Sequence, residues 1–156
     1  MNLFKNLLLL IVTAMLFIAC NEGAIVDTFE TVPNKNWTYI KPIKANITVE
    51  DSTKAYNIYV NFRHTADYKY ANIWLRFHVI GPKLKDEPLR QEFQLAESSG
   101  VWLGSGSGNL FSYQLIFKEN YKFPSKGKYT IIVEQNMRDN PLKEVSDVGV
   151  RIVETK

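Results

Sequence analysis

The sequence predicts an all-β protein, built as a single antiparallel β-sandwich of immunoglobulin-like or jelly-roll-like topology. Apolar and polar residues alternate with a period of two along most of the chain, which is typical of strands with one face in a core. All six prolines fall between the alternating runs, where a residue without an N–H removes no ladder hydrogen bond. No stretch has the sustained 3.6-residue spacing of an amphipathic helix. We therefore expect about eight or nine short strands around one core, and both topologies fit this pattern.

Six runs alternate clearly, and each turns its apolar residues to one side. Weaker runs at residues 25–29, 37–40 and 45–49 predict further strands. The residues expected to face the core are, in chain order, Ile58, Val60, Phe62, Ile73, Leu75, Phe77, Val79, Phe93, Leu95, Phe111, Tyr113, Leu115, Phe117, Tyr129, Ile131, Val133, Val148, Val150 and Ile152.

The first 19 residues have the features of a lipoprotein signal peptide. Lys5 and the amino terminus supply positive charge, and an apolar stretch follows at residues 7–18. A helix needs about 20 apolar residues to span a bilayer, so this stretch is too short for a permanent anchor. It ends with Ala19 directly before Cys20, and a small residue before cysteine is typical of the cleavage site of a bacterial lipoprotein.

Cys20 is the only cysteine among the 156 residues, and it stands where such a signal requires one. We expect its thiol to carry a diacylglyceryl group and to become the first residue after cleavage. Two or more acyl chains hold a protein stably on a bilayer. The sequence thus predicts a signal peptide at residues 1–19, a lipidated tether at 20–24 and a sandwich domain at 25–156, anchored to the membrane without spanning it. A single cysteine also excludes an internal disulfide.

Composition and motifs argue against catalysis and against several ligand classes. The formal charge of +3 is too small to indicate a nucleic-acid partner. One cysteine and two histidines, His64 and His78, are too few for the common metal sites. Neither histidine has a local partner that suggests a catalytic triad, and Asp86, Glu87 and Glu92 are expected to be solvated near turns. We expect a non-enzymatic protein with no cofactor and no small-molecule substrate.

Four of the eight glycines lie within residues 100–108, which read GVWLGSGSG. These glycines run into a strand, whereas the glycines of nucleotide-binding loops open a helix. One interpretation is a mobile connection with positive-φ positions and with Trp102 tucked against the sandwich. The other is a binding loop in which Trp102, Gly104 and Gly106 meet a protein partner. The sequence leaves both interpretations open.

Aromatic residues on the polar faces of the strands raise an alternative function. Tyr39, Tyr59 and Trp74 lie opposite the apolar side of their strands. A row of such rings on one sheet face could stack on sugars, as in a carbohydrate-binding module, or the same rings could simply cover the second face of the sheet. A glycan-binding lipoprotein is therefore the alternative to a protein-binding one.

Several segments together resemble one known family, the gliding-motility lipoprotein GldH of the Bacteroidota. In combination with the lipoprotein signal, they follow the expected order along nearly the whole mature chain. The sequence departs from the family pattern at Glu144, where a glycine is expected. The segments are residues 70–75 (YANIWL), 100–106 (GVWLGSG), 123–129 (FPSKGKY), 134–138 (EQNMR) and 142–151 (LKEVSDVGVR).

This resemblance implies a membrane-anchored component of the gliding machinery that is associated with type IX secretion and has no catalytic residues to carry over. It implies other proteins of that machinery as partners, with Gly127 in a turn and Gly149 at a close packing contact. The residues after Cys20 lack the charged surface-export signal of lipoproteins of that phylum, which favours the periplasmic face of the outer membrane. Residues 51–53 match a short O-glycosylation pattern of that phylum, so Ser52, in an expected turn, is a candidate glycosylation site.

Overall fold

The computed structural model describes residues 23–155, which form β-strands and one short 3-10 helix, Pro33–Lys35. The expected signal peptide and Cys20 lie outside the described residues. Within that described part, no helix is long and apolar enough to cross a bilayer. The strands are β1 Ala24–Asp27, β2 Glu30–Thr31, β3 Asn36–Trp37, β4 Ile43–Val49, β5 Tyr56–Thr65, β6 Asn72–Ile80, β7 Leu89–Gln94, β8 Ser105–Ser107, β9 Leu110–Tyr121, β10 Gly127–Gln135, β11 Leu142–Lys143 and β12 Val145–Glu154.

Two larger antiparallel sheets and one two-stranded sheet make up the described domain. The larger sheet has the order β1-β12-β5-β9-β8, with β2 also paired to β12, and the smaller sheet has the order β4-β10-β6-β7. The short strands β3 and β11 pair with each other. The predicted all-β, antiparallel fold is confirmed, and the arrangement is sandwich-like.

The predicted inward-facing residues form the core. Phe62, Ile73 and Val150 have no exposed surface, and almost all others of the predicted set are buried as well. Val79 and Phe111 are only partly buried, because each lies near one end of its strand. The rings of Phe77 in the smaller sheet and Phe117 in the larger sheet stack with centroids 3.8 Å apart, which joins the two inner faces.

The strand predicted at residues 37–40 is wrong beyond its first residue. Only Asn36–Trp37 pairs as a strand, and the chain then turns. The Trp37 indole N–H donates to the carbonyl oxygen of Lys41 at 3.0 Å, which closes this turn. Trp37 is 1% exposed, so its burial rather than a ladder holds the segment in place.

The N-terminal segment runs along β12 and comes close to it at Thr28 and Phe29, between β1 and β2. A Cβ on Gly149 would lie 1.8 Å from the Thr28 carbonyl oxygen, so only glycine allows the segment to approach β12 this closely. The buried Asn61 side chain donates to Asp27 at 2.7 Å and to the Thr28 carbonyl oxygen at 3.2 Å. The close packing expected at Gly149 is thereby confirmed.

The strand register defines two opposite ends of the sandwich. At one end Tyr56 lies opposite Tyr121 and Glu154, and β1 begins beside them at Ala24. We call this the tether end, because the expected lipidated residue precedes β1. At the other, distal end lie the connections at residues 38–42, 66–71, 95–104 and 136–141. Strand β5 spans the domain with 10 residues, so the two ends are about 30 Å apart.

Glu144 adopts the left-handed backbone conformation, with φ of 66°. This conformation favours glycine, which explains why a glycine is expected at this position. Two hydrogen bonds from Thr65 hold the residue: the backbone N–H donates to the Glu144 carbonyl oxygen at 3.0 Å, and the hydroxyl donates to its carboxylate at 2.5 Å.

Candidate functional site

The glycine-rich segment at the distal end is a hydrogen-bonded hairpin. The Glu97 N–H donates to the Val101 carbonyl oxygen at 2.8 Å, and the Leu103 N–H donates to the Leu95 carbonyl oxygen at 2.8 Å. Ala96 and Trp102 form an isolated bridge between these bonds. The segment at residues 95–104, here called the distal hairpin, therefore continues from the end of β7 as a hydrogen-bonded structure and is not a mobile loop.

Alternation within the distal hairpin sends Trp102 inward and its neighbours outward. Trp102 is partly buried, and its ring meets the ring of His64 at 4.5 Å and the ring of Phe111 at 5.8 Å. Val101 and Leu103 are 59% and 53% exposed. Trp102 thus holds the hairpin against the sandwich, and the two aliphatic side chains are the ones presented to solvent.

His64 is completely buried beneath Trp102, and its imidazole is surrounded by aromatic rings. Its Nδ1 lies 2.7 Å from the Thr65 carbonyl oxygen, and its Nε2 lies 3.2 Å from the Tyr113 hydroxyl. Because the carbonyl can only accept, Nδ1 carries a proton and donates it. Burial lowers the pKa of His64 below its usual value, and the hydrogen bond to Thr65 partly opposes this shift. The neutral imidazole is thus a structural part of the distal end.

Gly104 and Gly106 let the chain after Trp102 lie flat against β9. A Cβ on Gly104 would come within 2.5 Å of the Tyr113 ring, and a Cβ on Gly106 would lie 3.3 Å from the Phe111 ring. Both glycines therefore have a packing role in this structure. Their role in partner binding, together with that of Trp102, stays a prediction.

A groove on the outer face of the smaller sheet opens at the same end of the molecule. We call it the Trp74 groove; it has a volume of about 470 Å³ and includes Tyr70, Trp74, Arg90, Met137, Arg138 and Asp139 in its lining. The Arg90 guanidinium lies over the Trp74 ring, 3.7 Å from its centroid, and Arg90 Nε donates to Asn136 Oδ1 at 2.6 Å. The backbone N–H of Trp74 donates to the Met137 sulfur at 3.2 Å, which fixes the connection after β10 against β6.

The reasoning from sequence missed this groove, although two of the segments that carry the family resemblance meet in it. Residues 70–75 supply Tyr70 and Trp74, and residues 134–138 supply Met137 and Arg138. Arg90 comes from a part of the chain that no motif singled out. The sequence signal was the presence of Trp74 and Arg138 in two of the quoted segments, but their proximity becomes visible only in the structure.

The three rings considered as a glycan platform do not form one row. Tyr59 belongs to β5 of the larger sheet and Trp74 to β6 of the smaller sheet, and both point away from the core. They therefore lie on opposite sides of the sandwich. Tyr39 lies in the turn after β3, where its hydroxyl donates to the Met137 carbonyl oxygen. Since Arg90 also covers one face of the Trp74 ring, these three rings do not form the stacking surface that the alternative function requires.

Of the three carboxylates considered for catalysis, Asp86 and Glu92 make ordinary structural contacts. Asp86 Oδ2 lies 2.9 Å from His78 Nδ1, and Glu134 Oε2 lies 3.7 Å from His78 Nε2. Glu92 accepts a hydrogen bond from the Asn72 side chain. Glu87 is exposed in the connection before β7. Among residues 23–155, no group of three His, Cys, Asp or Glu side chains could hold a metal ion.

Ser52 lies in the turn between β4 and β5, at the tether end, as the sequence indicates. The Asp51 carboxylate shapes this turn, because it accepts hydrogen bonds from the Thr53 hydroxyl at 2.7 Å and from the Thr53 N–H at 2.9 Å. These two bonds lower the pKa of Asp51 below its usual value. Glycosylation of Ser52 stays a prediction, and lipidation of Cys20 concerns a residue outside the described part of the chain.

Comparison with known proteins decides the family. The model of the family described as GldH lipoprotein matches residues 24–152, which is nearly the whole described domain. The chain belongs to the GldH lipoprotein family. A gliding motility lipoprotein GldH homolog of Christiangramia forsetii is 31% identical over 154 residues, covering 94% of each chain. The gliding motility lipoprotein GldH of Flavobacterium johnsoniae is 30% identical over 155 residues, covering 95% of this chain and 96% of the relative. No solved structure matches the chain.

Proposed function

We propose that the chain is a membrane-anchored, non-enzymatic component of a gliding motility machinery and acts in it as a scaffold or protein-binding module. The names of both GldH relatives, which align with almost the full length of this chain, support the assignment to gliding motility. The resemblance supports an association with type IX secretion and a position on the periplasmic face of the outer membrane. The partners are then other proteins of that machinery, and no cofactor takes part.

The observation that carries the proposal is that the expected anchor adjoins one end of the domain, the tether end, and the distal hairpin lies at the opposite end. Cys20 precedes Gly23 by three residues, which span at most about 11 Å when fully extended. Lipidation of Cys20 would therefore hold the tether end against the membrane. The distal end would project about 30 Å away from the bilayer, where it can reach a protein partner.

The exposed apolar side chains of the distal hairpin support a protein contact at that end. Val101 and Leu103 are both more than half exposed, on a hairpin that Trp102 and backbone hydrogen bonds hold rigid. Ile40, in the turn after β3 at the same end, is 85% exposed. Apolar side chains on a preorganised loop favour binding, because little conformational entropy is lost on contact.

The anchor is tested by replacing Cys20 with serine in cells grown with labelled palmitate. The serine hydroxyl does not replace the thiol that takes the diacylglyceryl group, so Cys20→Ser should accumulate as unlabelled, uncleaved precursor and should not restore gliding to a strain that lacks the gene. The matched control is Ser52→Ala, which should be labelled like the parent. Equal labelling of Cys20→Ser and the parent, or normal gliding by Cys20→Ser, would contradict the proposal.

A further inference from the structure

We propose that the Trp74 groove binds an acidic, extended segment of a partner protein, with Arg90 and Arg138 as the residues that recognise its carboxylates. This inference rests on the proposed role as a protein-binding module and names the chemistry of the partner. It uses a surface separate from the tip of the distal hairpin.

Arg90 is held in place with most of its donors unused. Its guanidinium is stacked on Trp74, and Nε donates to Asn136 Oδ1. A guanidinium has five N–H donors, so four remain at the two terminal nitrogens. Among the residues that the structure describes, no carboxylate pairs with Arg90. A guanidinium fixed by stacking is preorganised for the bidentate recognition of a carboxylate.

Arg138 lies in the same groove and is exposed without an ion pair in the described part of the chain. The neighbouring acid, Asp139, is already engaged: it accepts from the Tyr70 hydroxyl at 2.6 Å and lies 3.8 Å from Lys69 Nζ. The groove therefore presents two guanidinium groups whose positive charge no bound carboxylate neutralises. Tyr70 and Met137 also line the groove and add apolar surface to it.

The position of the groove and the covered ring favour a protein ligand. The groove lies at the distal end, about 30 Å from the tether end, so the lipid surface that holds Cys20 is out of reach. A sugar cannot stack on the Trp74 face that Arg90 occupies. Two guanidinium groups beside apolar walls complement a peptide in which acidic side chains alternate with apolar ones, and a volume of about 470 Å³ accommodates part of such a segment.

The test measures binding by the purified full-length lipoprotein in nonionic detergent. The probe is a fluorescein-labelled peptide that alternates glutamate with leucine, and the matched peptide replaces every glutamate with glutamine. Fluorescence anisotropy at low salt should show at least about tenfold tighter binding of the glutamate peptide, because charge-assisted bidentate bonds are lost with glutamine. Arg90→Gln and Arg138→Gln should each remove most of this preference, and Arg138→Lys should retain part of it.

Lys128→Gln is the matched control, because Lys128 is exposed near the tether end and its replacement removes the same charge. Its affinity for the glutamate peptide should equal that of the parent. Melting temperatures within 2 °C of the parent would show that each variant is folded, where 2 °C corresponds to roughly 0.5 kcal/mol.

Three outcomes would overturn the groove assignment. The first is equal affinity for the two peptides, and the second is an unchanged preference in both arginine variants. The third is binding to mixed detergent micelles that contain phosphatidylglycerol, if this binding is stronger than peptide binding and is lost in those variants, which would make the ligand a lipid surface. Because the assay uses purified protein, a failure of palmitate labelling at Cys20 would overturn the proposed anchor and leave the groove assignment standing.

Discussion

Replacement of Trp102 by alanine should destabilise the fold, because the ring packs inward and covers the buried His64. Trp102 is partly buried and touches His64 and Phe111, so alanine would leave a cavity above the imidazole. Loss of a buried tryptophan costs about 3–5 kcal/mol, and the exposed part of this ring reduces the expected cost to about 2–3 kcal/mol. For a domain of this size, that loss lowers the melting temperature by about 6–10 °C.

The assay is thermal unfolding followed by circular dichroism, with an NMR titration of His64 as a second readout. Water that enters the cavity would reduce the desolvation that lowers the pKa of His64, so this pKa should rise towards its usual value in Trp102→Ala. The control is the double variant Val101→Ala and Leu103→Ala, whose exposed side chains should change stability by less than about 0.5 kcal/mol. A parental melting temperature and an unchanged His64 pKa in Trp102→Ala would refute this account of the hairpin.

Three further predictions follow from the backbone and from the buried imidazole. Gly149→Ala should lower stability by about 1–3 kcal/mol, because its Cβ would clash with the Thr28 carbonyl oxygen, and a parental melting temperature would show that the segment at Thr28 can move away. The contribution of His64 to the free energy of unfolding should be constant above about pH 7.5 and should fall as the pH drops below about 6.5. In that range the unfolded His64 binds a proton, whereas the buried imidazole, with its lowered pKa, does not. A titration midpoint for His64 at or above pH 6.5 in the folded protein, measured by NMR, would contradict this. Glu144→Gly should be more stable than Glu144→Ala by about 1 kcal/mol in denaturant unfolding. Both variants lose the hydrogen bond from the Thr65 hydroxyl, but only glycine adopts the positive φ without strain. Equal stabilities would show that the backbone is not strained.

The strands and their inward faces could be predicted from the sequence because the period-two pattern is local. The same pattern extends to His64, which follows Ile58, Val60 and Phe62 at even positions and is buried with them. The sequence around His64 offers it no side-chain hydrogen-bond partner, so its place in the core could not be predicted from nearby residues. Two residues remote in sequence stabilise its burial: the Tyr113 hydroxyl lies within hydrogen-bond distance of the imidazole, and the Trp102 ring covers it.

The arrangement of strands into sheets could not be predicted, because pairing depends on contacts between distant parts of the chain. Tyr59 and Trp74 both lie on polar strand faces, and only the assignment of β5 and β6 to different sheets separates them. The Trp74 groove has the same origin, since Arg90 and Arg138 meet through the pairing of β6 with both β7 and β10. The turn at Trp37 was missed because a single buried ring, rather than an alternating run, holds it.

The central claim is that the distal end carries the protein contact and the tether end faces the membrane. The most direct measurement is gliding by a strain that lacks the gene and carries Val101→Ser with Leu103→Ser, compared with Ile25→Ser and Ile80→Ser. The second pair replaces apolar residues nearer the tether end that are 46% and 45% exposed. At equal amounts of palmitate-labelled protein in the membrane, the account predicts that the first strain does not glide and the second glides like the parent. Normal gliding by the first strain, or loss of gliding in the second alone, would contradict the account.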